Sequence, residues 1–244
     1  TTNWDKIKIG WRCRDAQLSM KPNNRYPWET NDIRKAKFNK ILIIPSLTAK
    51  HPEHKEEDKD QAWLESKEEH SQAILTDIPY EKDWKVLDIG CGIGRMMATF
   101  SDKFKQVDGV DFSESMIEFS KDYLKDYENC NTYLNNGYDL SQLEDNSYDF
   151  VYSIITFQHI SKDLVNSYIK EILRVLKDSK YISLQFMRPT LNKLPKYAGP
   201  AWRHFIGHNF ENDSELLELF KDFDVHYQID KKWAWIKGNK NELN

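Results

Sequence analysis

Val86-Leu87-Asp88-Ile89-Gly90-Cys91-Gly92-Ile93-Gly94-Arg95 places three of the chain's nine glycines within five positions. The run reads as a buried strand, a tight turn and then a helix. Glycine lacks Cβ, so a backbone built on it takes positive φ and lies directly against a ligand. The helix is expected from about Ile93, with Met96, Met97, Phe100 and Phe104 at i, i+3, i+4 spacing packing it on a sheet. A nucleotide-like ligand at that helix N-terminus is one reading, and an ordinary strand-to-helix turn is the other.

The next stretch favours the ligand. Gln106-Val107-Asp108-Gly109-Val110 reads as a second strand ending at Asp111, ~20 residues beyond Gly90, where a carboxylate accepts both hydroxyl hydrogens of a ribose. An isolated Asp here would read as a turn residue or helix cap. Phe112 can cover a base, and Ser113 can cap a helix carrying Met116, Ile117, Ser120, Tyr123 and Leu124.

Leu87 to Gly94, and Gly109-Val110-Asp111-Phe112-Ser113 through Met116-Ile117, closely resemble the first and the acidic second motif of the class I S-adenosylmethionine-dependent methyltransferases. Asn136-Gly137-Tyr138-Asp139-Leu140 sits where that family has its adenine-binding loop, with Asn136 where Asp is more common. An Asn amide oxygen still accepts from the adenine amino group, and the Gly137 N–H can donate to the ring; an Asn-Gly turn also reads this way. Ser147-Tyr148-Asp149-Phe150-Val151-Tyr152-Ser153-Ile154-Ile155-Thr156-Phe157-Gln158-His159-Ile160 is similar to the family's fourth strand and exit loop. The resemblance extends from Trp84 to Phe186.

It implies an α/β fold: a Rossmann-like, doubly wound seven-stranded sheet, mostly parallel, with a C-terminal antiparallel hairpin. It implies S-adenosyl-L-methionine as cofactor, held by Asp88, Gly90, Cys91, Gly92, Gly94, Asp111, Phe112, Met116, Asn136, Gly137 and Ile155. A nicotinamide enzyme reads the same strand, turn and acid, but its fingerprint is G-x-G-x-x-G. Here the third glycine comes one residue early, at Gly94, with Arg95 where that fingerprint wants glycine.

Composition narrows the class. A chain of 244 residues allows one domain with an elaborated end. No apolar run approaches the ~20 residues that span a bilayer, and no charged-then-apolar leader is visible at Thr1, so a cytoplasmic protein without a membrane partner is expected. Cys13, Cys91 and Cys130 show neither C-x-x-C nor Cys/His ligand spacing, which suggests reduced thiols and no structural metal. Cys91 reads as a small buried filler. A net charge of −4 and a pI near 6.0 leave no basic footprint for a phosphate backbone, so nucleic acid is not expected as substrate. The Lys-rich stretch Arg34 to Lys40 reads as a solvated helix face.

Residues 1–62 read as an N-terminal extension and 63–244 as the methyltransferase domain, with a substrate-loop insertion at about 187–212. In the resembled family such extensions commonly fold over the cofactor as a lid and form part of the acceptor pocket, which would bring in Trp11, Tyr26 and Trp28; packing of the extension on the domain explains the same aromatics. Trp63 to Leu75 reads as a helix leading to the first strand. After the fourth strand, Ser161 can cap a helix whose Leu164, Val165, Tyr168, Ile169, Ile172, Leu173 and Leu176 follow the helical period, a packing face without chemistry. Lys177-Asp178-Ser179 reads as a turn before a fifth strand, Tyr181 to Phe186. Met187 to Phe210 is irregular and too aromatic for disorder, a second wall of the acceptor pocket. Ser214 to Phe220 suggests a helix, and Asp224 to Ile229 with Lys232 to Ile236 a hairpin around Asp230-Lys231.

A sulfonium methyl is already electrophilic, so the protein must align donor and acceptor, exclude water, and take a proton from a hydroxyl or ammonium acceptor. His159, on the loop after the fourth strand, is the first candidate base, with a loop-shaping role as its alternative; His204 is the second. Arg188 and Arg203 can clamp a carboxylate or phosphate on the acceptor or bridge to surface acids. Trp11, Trp28 and Trp202, with Tyr197 nearby in sequence to the last, can instead enclose an amine. The expected activity is methyl transfer to an oxygen or nitrogen of a small-molecule acceptor by a monomer or homodimer. The alternatives are a protein or peptide methyltransferase and a non-catalytic cofactor-binding partner subunit.

Overall fold

The apolar run around Leu87 forms an inner strand of a seven-stranded sheet. In the computed structural model, which describes residues 67–187, 210, 212–230 and 233–242, the strands in chain order are β1 (Lys85–Ile89), β2 (Gln106–Asp111), β3 (Cys130–Leu134), β4 (Tyr148–Ser153), β5 (Leu176–Met187), β6 (Phe223–Asp230) and β7 (Trp233–Lys240). Their order across the sheet is β3-β2-β1-β4-β5-β7-β6. The first five strands pair in parallel, and β7 runs antiparallel to both β5 and β6. The doubly wound sheet and its C-terminal antiparallel hairpin agree with the sequence reading.

Burial follows position in the sheet. Every residue of β4 is buried, and β1 sends Leu87 and Ile89 into one core and Val86 into the other. Strands covered on both faces read as continuous apolar runs. At the edge, β3 leaves Tyr133 and Leu134 exposed.

Helix α1 covers 67–75, within the helix expected over Trp63 to Leu75. Lys237 Nζ donates to the Thr76 carbonyl at 2.8 Å, a cation at the C-terminal end of a helix dipole. Helix α2 (Arg95–Phe100) starts later than Ile93, because Gly94, at φ 84, is its N-cap and leaves Ile93 in the turn. Phe104 lies beyond the helix, yet it joins Met96, Met97 and Phe100 in one core. Helices α3 (Glu114–Tyr123) and α4 (Lys162–Val175) are capped by Ser113 and Ser161, whose hydroxyls accept from the Met116 and Leu164 N–H groups. Leu176, expected on α4, instead opens β5.

The turn expected at Lys177-Asp178-Ser179 is a bulge inside β5. Tyr148 pairs with Leu176 and Phe150 with Tyr181, so extra residues are absorbed while pairing continues on both sides. Ser179 sits at φ 58, and Lys177 Nζ donates to Asp149 Oδ1 at 2.9 Å. The helix expected over 214–220 is split into α5 (Asp213–Leu217), capped by Asn212, and a 3-10 turn, Glu218–Phe220. In the hairpin Asp230 opposes Trp233, which shifts the expected connection by one residue. The expected lid, 1–62, and the insertion at 187–212, apart from Met187, Phe210 and Asn212, lie outside the described residues.

Candidate active site

The chain builds β1, β2 and β3 to one side and then starts again with β4 on the other flank of β1. At such a reversal the loops leaving the strand ends diverge and open a crevice. A cavity of about 210 Å³ lies there, walled by the turn after β1, the tip of β2, the loops after β3 and β4, and Tyr168 of α4.

The glycines of the turn serve different purposes. A Cβ on Gly90 would stand 2.3 Å from Thr156 Oγ1, and one on Gly94 would stand 2.5 Å from Leu124 Cδ1. Both positions are closed by protein packing. At Gly92 (φ +56) a Cβ would meet nothing within 4 Å. Gly90, Cys91 and Gly92 line the cavity, whereas Gly94, expected as a ligand contact, stands behind the wall against Leu124.

Asp111 closes the tip of β2. Its Oδ2 accepts from the Gly92 N–H and its Oδ1 from the Ser113 N–H, each at 2.9 Å. A carboxylate so held keeps acceptor capacity on both oxygens. Burial raises its carboxyl from 3.8 to about 6, against the pull of the Ser113, Gly92 and Phe112 N–H groups. Burial also lifts Asp88 to about 7, opposed by Tyr152 and Arg95 and assisted by Asp111. The Cys91 thiol is pushed well up by burial and by the acids at 111 and 88, so the filler reading of Cys91 fits its surroundings. Phe112 and Met116, both half-buried, add apolar surface to the wall.

The loop after β3 differs from expectation. Asn136 is exposed and closes its own turn: its Oδ1 accepts from the Tyr138 and Asp139 N–H groups at 2.8 and 3.1 Å. Asn135 lines the cavity in its place. The Gly137 N–H, expected to reach a base ring, donates to Asn135 Oδ1 at 2.6 Å; Gly137 meets the cavity with the rest of its backbone. Tyr168, read from sequence as packing alone, donates its hydroxyl to the same Oδ1 at 2.7 Å and lines the cavity.

Beyond β4, Ile155 adopts φ 58, a conformation β-branched residues rarely take. Its N–H donates to Gln185 Oε1 at 3.0 Å, which holds the exit loop against β5. Ile155, Thr156, Phe157 and Ile160 form the far wall. The backbone of His159 belongs to the 3-10 turn Phe157–His159, flanked by two wall residues. Trp11, Tyr26, Trp28, Arg188, Tyr197, Trp202, Arg203 and His204 lie outside the described residues.

Sequence reasoning missed Arg95, which lines the cavity at 8% exposure with Nη2 2.8 Å from His70 Nδ1. The available signal was its place directly after the third glycine. Among the described residues no group of His, Cys, Asp or Glu is placed to hold a metal, and no helix is long and apolar enough to cross a membrane. Open space over Gly92, a fixed carboxylate at Asp111, apolar faces at Phe112 and Met116, and buried charges at Asp88 and Arg95 fit a nucleoside with a charged tail.

Known proteins show the family. Residues 86–179 match the family model described as a methyltransferase domain. Over 175 residues the chain is 32% identical to the demethylmenaquinone methyltransferase of Staphylococcus aureus strain MRSA252, covering 62% of this chain and 71% of that enzyme. With the protein of the same name from strain JH9 the match is 32% over 122 residues, 48% of this chain and 49% of the relative, about half its length. The fold is similar to that of the Pyrococcus horikoshii OT3 protein PH0226, with a TM-score of 0.60 at 21% identity, covering 83% of this chain and 98% of that one. The chain belongs to the class I S-adenosylmethionine-dependent methyltransferases, and S-adenosylmethionine is its cofactor.

Proposed function

We propose that this enzyme transfers the methyl group to an oxygen or nitrogen of a small-molecule acceptor. The observation that carries the reading is the apolar far wall of Ile155, Phe157 and Ile160, on the loop that leaves β4. The relative named for demethylmenaquinone supports a small-molecule acceptor, whichever atom is methylated. The net charge of −4 goes with an enzyme of metabolites better than with one acting on nucleic acid.

When bound, S-adenosylmethionine supplies an electrophilic sulfonium methyl. Asp111 would accept from the ribose hydroxyls, Phe112 and Met116 would offer apolar surface to the base, and the apolar far wall would keep water from the transfer. We assign the proton to His159, because its turn lies between two wall residues and an imidazole titrates near neutrality. Trp11, Tyr26, Trp28, Arg188, Tyr197, Trp202, Arg203 and His204 are proposed to complete the acceptor side, within a lid at 1–62 and an insertion at 187–212.

The test is transfer of a labelled methyl from S-adenosylmethionine into a cell extract separated by size, with Asp111→Ala as control. Label in the small fraction is expected. Label on protein would overturn the small-molecule reading in favour of a peptide acceptor, and no label despite cofactor binding would favour a non-catalytic partner subunit.

A further inference from the structure

We propose that Glu171 and Arg174 of α4 are positioning residues for the nucleobase of the cofactor, acting through the loop after β3 that brings Asn135 and Gly137 to the cavity. The inference rests on the methyltransferase reading and adds to it a pair that neither lines the cavity nor falls in a motif read from sequence.

Between β3 and β4 the chain runs from Asn135 to Ser147 without helix or strand. Backbone groups in such a stretch need partners from elsewhere in the fold. Glu171 Oε2 accepts from the Leu140 N–H at 2.8 Å. Arg174 donates from Nη2 to the Leu140 carbonyl at 2.8 Å and from Nη1 to the Leu143 carbonyl at 2.9 Å. The two side chains also pair with each other, Nε to Oε1 at 3.1 Å and Nη2 to Oε2 at 2.8 Å. Two parallel bonds between guanidinium and carboxylate fix direction as well as charge. The Arg174 bond holds the Glu171 carboxyl below its usual range, so the pair stays ionised. Leu140 and Leu143 are buried in the core that α4 joins, so apolar packing and the ion pair grip the same two residues.

The loop held in this way meets the cavity just before Leu140, at Asn135 and Gly137. The Asn135 N–H donates to the Asp111 carbonyl at 2.8 Å, and its amide oxygen accepts from Tyr168, about one turn before Glu171 on the same helix. With the ribose at Asp111 on β2 and the methyl directed at the loop after β4, the base falls on the other side of the ribose. In the strand order that side is β3. A shift of the β3 loop therefore changes contacts with the base, while the ribose and the transfer site rest on other strands.

Calorimetric titration of the full chain tests this with S-adenosylhomocysteine and S-ribosylhomocysteine, which keeps the ribose and the amino acid tail and lacks the base. Wild type is expected to prefer the base-bearing ligand by about 10- to 100-fold, the range for holding one base by its faces. Arg174→Met should weaken S-adenosylhomocysteine about 10-fold and S-ribosylhomocysteine by less than about threefold, so the preference shrinks. Glu171→Leu should do the same, and Glu171→Gln, whose amide oxygen still accepts from the Leu140 N–H, should recover part of it. A role in stability alone would leave the ratio of the two affinities unmoved. Circular dichroism melts establish that each variant is folded; should Arg174→Met fail to fold, the Glu171 pair carries the test. Equal weakening of both ligands, or an undiminished preference in the folded variants, would overturn the proposal while leaving the cofactor assignment intact. Failure of wild type to bind S-adenosylhomocysteine would overturn both.

Discussion

The Gly92 N–H donates to Asp111 Oδ2 at 2.9 Å, so the turn after β1 and the tip of β2 hold each other at the cavity wall. This bond aligns the carboxylate while the space over Gly92 stays open for a ligand.

Its titration gives a pH prediction. Folding raises the Asp111 carboxyl from 3.8 to about 6 because burial disfavours its charged form. The native state then holds a proton that the unfolded chain has lost, and the stability from that proton is present at low pH and lost as pH rises through about 6. Cofactor binding has the opposite sign, since ribose hydroxyls need the ionised acceptor. Affinity for S-adenosylhomocysteine should fall as pH drops below about 7, where Asp88 takes up its proton, and more steeply below about 6. In Asp111→Asn the lower step should vanish. Calorimetry across pH 5 to 8 checks this, and an affinity that rises on acidification would contradict it.

Gly90 and Gly92 should respond differently to alanine. At Gly92 the added methyl meets empty cavity, so stability falls by only about 1 kcal/mol for the left-handed backbone, while cofactor affinity drops sharply. At Gly90 the methyl collides with Thr156, and overpacking adds a further ~1–3 kcal/mol. Urea unfolding of Gly90→Ala with and without Thr156→Gly separates the two effects: the second substitution should return part of the loss.

Tyr168→Phe removes the hydroxyl that Asn135 Oδ1 accepts. Oδ1 keeps the Gly137 N–H, so the lost bond should cost about 0.5–1.5 kcal/mol of stability and reduce cofactor affinity. Asn136→Ala, at an exposed turn, should leave affinity nearly unchanged. A larger affinity loss at Asn136 than at Tyr168 would restore the assignment read from sequence.

The difference between these two asparagines shows what the sequence encodes. Leu87, Ile89 and the α4 residues repeat with a period that reports burial, and Ser113 and Ser161 precede their helices as caps, so sheet, helices and turn were legible. Adjacent Asn135 and Asn136 are chemically identical, and only the direction of the chain leaving β3 decides which one faces the cavity. Arg95 meets His70 from 25 residues away and Tyr168 meets Asn135 from 33, contacts that no local pattern records. Lys177 to Ser179 carries turn residues, yet pairing on either side keeps it in the strand as a bulge. The strain at Ile155 is equally invisible locally, since the tertiary bond to Gln185 stabilises it.

His159→Ala should lower turnover by about 100-fold or more if the imidazole takes the acceptor's proton, with affinity for S-adenosylhomocysteine nearly intact. Single-turnover transfer to the identified acceptor checks this. Activity at the wild-type level would mean that the residue only shapes the loop.

The most direct test of the account is calorimetric titration of wild type and Asp111→Ala with S-adenosylhomocysteine at neutral pH. Wild type should bind, and the variant should lose about 1.5–3 kcal/mol for each ribose hydrogen bond removed while remaining folded. Equal affinity in the two proteins would contradict the assignment of this cavity to the cofactor.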